Sequence, residues 1–128
     1  MTNKSKKILS EISAGELLDK ISILEIKIEK IKDKYNQEEV KKEYKILKEI
    51  QNSSIKIEDE IKEVNLSLWD IEDKLRICEK NRDFGKNFTE LARGVYLNND
   101  KRAKIKSEIN KILGSNIKEI KQYVDYQL

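Results

Sequence analysis

Apolar residues recur at alternating intervals of four and three along three stretches of the chain. The first is Leu17, Ile21, Leu24, Ile28, Ile31 and Tyr35, and the second Ile57, Ile61, Val64, Leu68, Ile71, Leu75 and Cys78. The third opens as Phe88, Leu91 and Val95, meets Asn98 and Arg102, and resumes at Ile105, Ile109 and Ile112. This period keeps one side of an α-helix apolar and belongs to helices packed along coiled-coil-like seams. The pattern predicts an all-α fold: an antiparallel bundle of about four helices with a short C-terminal helix.

Local signals supply the boundaries. Ser13-Ala14-Gly15-Glu16 reads as a capping box that starts helix one, which runs to about Tyr35. Asn36-Gln37-Glu38-Glu39 repeats that logic and starts helix two, through Val40, Tyr44, Leu47 and Ile50. Asn52-Ser53-Ser54 is a break, and helix three extends from about Ile55 to Asn81. Arg82 to Asn87, with Gly85, is a tight connection; Phe88 opens helix four, Gly114 stops it, and Asn116 to Tyr126 forms a short final helix or ordered tail. Connections this short make neighbouring helices antiparallel. Residues 1–12 are expected to be a flexible basic tail carrying Lys4, Lys6 and Lys7, and residues 13–128 a single helical domain.

Helix one carries more apolar residues than one seam uses. Leu18, Ile23 and Ile26 fall on other sides of its wheel, more than so small a bundle is expected to cover. A homodimer through helix one follows as the expectation.

On helix three, Asn65, Trp69, Glu72, Arg76 and Glu79 form a second stripe beside the apolar seam, while Asp70 and Asp73 are expected to point to water. In a hairpin about Gly85, that stripe lies level with Val95, Tyr96 and the Asn98–Arg102 interruption of helix four. Charges at such a half-buried place require partners, because desolvating an isolated charge is costly. Besides the possibility that Asn98-Asn99-Asp100 simply ends one helix and caps another with no buried site, two explanations stand. One is an internal network in which Glu72 or Glu25 holds Arg102, with Trp69 as a mostly buried lid bonded to helix four. The other is a pocket whose arginines accept a carboxylate or phosphate in fork geometry. The candidate ligand-binding residues are Asn65, Trp69, Glu72, Arg76, Tyr96, Asn99 and Arg102.

Composition narrows the chemistry. The 128 residues contain 27 basic and 24 acidic side chains, a net charge of +3, no proline and no histidine. The missing histidine removes the usual base near neutral pH and the commonest metal ligand. Cys78 is the only cysteine, so no clustered-cysteine metal site or internal disulfide exists, and its seam position reads as a small buried hydrophobe. No metal and no cofactor is expected. The mixed charge argues against nucleic acid, and no run of apolar residues is long enough for a membrane span, so a cytoplasmic protein is expected. Arginine occurs only at 76, 82, 93 and 102, and clusters with Trp69, Gly85, Ala92, Gly94 and Ala103 in a chain otherwise drifting toward Lys, Ile, Asn and Glu. Gly94 inside a helix points to close helix approach. The amides of Ser13 to Glu16 could hold a phosphate, ordinary capping being the simpler reading. The pairs Glu16 with Asp19 and Asp70 with Asp73 read as solvated faces.

Several segments together carry a resemblance. They are Gly15-Glu16-Leu17-Leu18-Asp19-Lys20, Leu68-Trp69-Asp70-Ile71-Glu72-Asp73, and Glu90-Leu91-Ala92-Arg93 followed by Tyr96, Asn99-Asp100 and Arg102-Ala103. The combination resembles an uncharacterised family of small all-helical proteins of bacteria and some of their viruses, found in some bacteria near surface-glycan synthesis. The resemblance implies one helical domain over most of the chain and supplies no catalytic residue. The leading expectation is therefore a non-enzymatic helical interaction or assembly module. The alternative is an anionic-metabolite-binding protein, or a small enzyme, that uses the Glu/Arg cluster between helices three and four.

Overall fold

A computed structural model describes residues 6–51 and 57–127. Its four helices are α1 (Ala14–Lys30), α2 (Lys34–Ile50), α3 (Ile57–Lys80) and α4 (Lys86–Ile112). No strand occurs among the described residues, and the chain is an all-helical bundle. The Asn52–Ser54 break, the first turn expected at Ile55, and Lys4 lie outside the described residues.

Two boundaries differ from the sequence expectation. Helix one stops at Lys30, because the Gln37 side chain donates to the carbonyls of Ile28 and Ile31 and closes its last turn. Asp33 rather than Asn36 then caps α2, accepting from the Asn36 amide at 2.9 Å. Of the two alternatives for the last segment, the ordered tail is the one that forms. Asn116 to Tyr126 runs back along α4, with Tyr126 hydrogen-bonded to Asp100 and packed edge-on against Tyr96. An isolated segment of this length is marginal as a helix, and these side-chain anchors favour an open course. Helix four, by contrast, is continuous through Asn98–Asp100, since Asn98 turns its amide back onto the Gly94 carbonyl at 2.8 Å.

Helices α3 and α4 form the largest helix–helix interface and run antiparallel, with Cys78 beside Asn87 and Ile71 against Gly94. The spacing-derived pairing of the two polar stretches is therefore correct. Helix α1 lies over the open end of this hairpin, opposite the turn. There Leu18 and Ile21 meet Ile57, Ile61 and Ile109 to make the core, with Tyr44 and Leu47 of α2 packed against it. Of the three apolar residues expected at a dimer surface, Leu18 and Ile26 are 2% and 1% exposed inside the chain, and Ile23 is half-buried. Helix α1 touches α2, α3 and α4, which lets it bury several of its sides at once. Toward the Gly85 turn the hairpin loses that cover. Two helices alone bury one stripe, and Cys78, 4% exposed, is the one fully buried apolar residue there among those described. No helix among the described residues is long and apolar enough to cross a membrane.

Candidate functional site

The N-terminus of α1 is built by α4. Gly15 brings the two backbones together: a Cβ there would stand 2.5 Å from the Lys106 carbonyl oxygen. At that distance the Asn110 amide oxygen accepts the Gly15 N–H at 2.6 Å, and Ser115 Oγ accepts that of Ala14 at 3.0 Å. Ser13 Oγ takes the Glu16 amide, and its carbonyl takes that of Leu17. The first-turn donors are thus all satisfied inside the protein, which leaves none for a phosphate.

One turn along α1, Asp19 is 1% exposed and receives the guanidinium of Arg102 as a fork, Nε to Oδ1 at 2.8 Å and Nη2 to Oδ2 at 2.5 Å. Asn65 of α3 donates to Asp19 Oδ1 at 2.9 Å and to Ser22 Oγ at 2.8 Å, while Ser22 Oγ donates to the Asp19 carbonyl. Burial pushes the Asp19 carboxyl up, but the hydrogen bonds from Arg102 and Asn65 and the charges of Arg102 and Lys106 outweigh it, holding Asp19 below the ordinary carboxylate range. The same fork raises the Arg102 pKa further against its own burial. Asp19 is therefore the acid that sequence reasoning assigned to Glu72 or Glu25. Glu72 pairs with Arg76 one turn along α3 at 2.6 Å, and Glu25 accepts from the Tyr44 hydroxyl.

A turn further along α4, the nearly buried Lys106 donates to Glu16 at 2.8 Å and to Glu119 of the returning tail at 3.1 Å. Burial lowers its pKa, and the two carboxylates more than reverse that. The bond from Lys106 holds Glu119 below its usual range.

Where α1 ends its cover of the hairpin, a cavity of about 470 Å³ opens between α1, α3 and α4. Its walls include Asn65, Trp69, Glu72 and Arg76 of α3, and Asn99 and Arg102 of α4. These are six of the seven residues selected from the helix-three stripe and the helix-four interruption. Tyr96, the seventh, lines an adjoining cavity of about 370 Å³ under the tail, with Asp100, Val124 and Tyr126; Asn99 is common to both. Asp70 and Asp73 are both exposed, as expected; Asp70 pairs with Lys74, and Asp73 also stands at the rim of the first cavity. Trp69 is half-buried, and its indole N–H has no partner among the described residues, so it forms a wall and not a bonded lid. Among those residues, no three acidic or cysteine side chains converge closely enough to hold a metal ion.

Sequence reasoning gave Asp19, Ser22, Asn110 and Ser115 no role in this network, and did not place Ile23 and Leu68 together as an apolar seat. A signal existed: Gly15, Asp19, Ser22 and Ile26 are spaced four, three and four, a second inward stripe on α1.

The family model for a family of unknown function (DUF6165) matches residues 8–126. The chain belongs to that family. No curated protein and no solved structure matches it. Membership extends across α1, the hairpin and the returning tail, so each wall of the cavity lies within the family domain.

Proposed function

We propose that the protein is a non-enzymatic helical binding module whose cavity between α1, α3 and α4 receives a small molecule. The observation that carries this reading is the convergence of Asn65, Trp69, Glu72, Arg76, Asn99 and Arg102 on one concave space. Concave sites with an apolar seat and a few directed polar groups are the usual form of ligand pockets. Ile23, Leu68 and Trp69 supply the apolar part. The Asn99 amide and Arg102 Nη1 supply polar groups with no partner among the described residues.

Binding is favoured over catalysis because the strongest charges are already committed to one another. Arg102 is held by Asp19 and Arg76 by Glu72, and the chain contains no histidine to act as a base near neutral pH. The reading includes a cytoplasmic setting, in keeping with a single reduced cysteine.

The test is a thermal-shift screen of neutral, cationic and anionic small molecules on the wild type and on Asn99→Leu. A true ligand at a hundredfold excess over its dissociation constant stabilises the wild type by about 2.7 kcal/mol. That gain is expected to disappear in the variant. Equal responses in both proteins to every stabilising compound would overturn the assignment of the cavity.

A second reading, homodimerisation, is favoured by one surface. Tyr35, Ile46 and Ile50 lie on one flank of α2 and are 73%, 53% and 67% exposed. With Leu18 and Ile26 buried, a dimer would use this flank, and Ile46→Lys with Ile50→Lys is expected to give a soluble monomer. A wild type that sediments as a monomer at micromolar concentration defeats this reading.

A further inference from the structure

We propose that the cavity selects a small organic cation, an ammonium or guanidinium carried on an apolar arm; this rests on the reading above that the cavity is a binding site. The argument begins with charge. Two arginines and two acids border the space, and Arg102 is neutralised from behind by the buried Asp19 while Arg76 closes on Glu72. The charge left over is that of Asp73, which has no ion-pair partner among the described residues. An anion entering here would find both guanidiniums already compensated and an unpaired carboxylate at the rim.

Two further observations point the same way. Trp69 lies one turn before Asp73 on α3, so its ring and that carboxylate share a side of the helix and a wall of the cavity. The face of an indole attracts cations through its quadrupole, most strongly among the aromatic side chains. Asn65, only 6% exposed, spends its amide N–H groups on Asp19 and Ser22. Its carbonyl oxygen accepts no hydrogen bond from a described residue, so this almost fully buried side chain offers the cavity an acceptor. An acceptor, a carboxylate and a π-face suit a donor cation, and Ile23 and Leu68 provide the seat for its apolar arm. The proposed ligand thus carries the opposite charge to the anion that the arginines suggest in the sequence.

Trp69 is the only tryptophan, so its emission reports on this site directly. The experiment titrates the full chain at low, constant ionic strength with three matched probes: phenylpropylammonium, phenylpropanol and phenylpropionate. The ammonium is expected to shift the Trp69 emission saturably and to bind most tightly, with salt weakening it. Asp73→Asn is expected to weaken the ammonium about tenfold, the loss of one charge-assisted hydrogen bond, and to leave the alcohol unchanged. Asp73→Lys is expected to reverse the order in favour of phenylpropionate. Equal binding of ammonium and alcohol, or tightest binding of phenylpropionate to the wild type, would overturn the cation while leaving the cavity a binding site. No saturable response to any probe would overturn both.

Discussion

Replacing Arg102 with Met gives the most direct reading of what the buried pair does. Asp19 has a side chain only 2% exposed and takes two hydrogen bonds from the guanidinium. Without Arg102 it retains one donor, Asn65, and the more distant charge of Lys106. Stranding one member of a buried pair costs about 3–5 kcal/mol, and the surviving Asn65 bond places the expected loss near the lower end. At a urea m-value of about 1.5 kcal/mol/M, the unfolding midpoint falls by about 2 M. The pH dependence is more specific still. In the wild type the folded Asp19 pKa lies below its unfolded value, so its contribution is complete above the unfolded value and is lost as the pH falls through the folded one. In the variant, burial (the largest influence on Asp19) is opposed only by Asn65 and Lys106, and the folded pKa is expected to rise above the unfolded value of about 3.9. The variant therefore loses stability as the pH rises from about 4 toward its new pKa, the opposite slope to the wild type. Urea unfolding followed by circular dichroism between acid and neutral pH measures both slopes. Adding Asp19→Leu removes the stranded charge and is expected to restore stability to within about 1–2 kcal/mol, the residue being the unmet Asn65 donor. A single variant that loses the same stability at every pH would refute the buried-acid account.

Two further substitutions and one modification test the packing. Gly15→Ala sets a methyl group 2.5 Å from a backbone carbonyl oxygen, and is expected to cost about 2 kcal/mol or more by thermal or urea unfolding despite alanine's better helix propensity. Gly94→Ala meets only the end of the Ile71 side chain at 3.0 Å, which can swing aside, so its stability is expected within about 0.5 kcal/mol of the wild type; equal losses at both glycines would contradict the close approach at α1 and α4. Cys78, 4% exposed beside Asn87, is expected to react with a thiol reagent only slowly in the native protein and rapidly in denaturant. Rapid native labelling would show that the hairpin opens near its turn.

Apolar spacing alone was enough to find the four helices, the hairpin register and six residues that line the cavity. Apolar spacing is a local property of a helix, and Gly85 fixes which stretch of α3 faces which stretch of α4 once the two fold back on each other. The polar stripe from Asn65 to Arg76 and the interruption at Asn99 and Arg102 were therefore legible as one place. Their partners were not. Whether Arg102 meets Glu72, Glu25 or Asp19 depends on how α1 crosses the hairpin, and Asp19 lies 83 residues away along the chain. The contact of α1 with all three other helices buries Leu18 and Ile26 and brings Asn110 and Ser115 to the amides of α1. It also places a buried carboxylate behind Arg102, which the sequence shows only as a cation. The helical period states which residues face inward; only the relative placement of distant helices decides what each of them finds there.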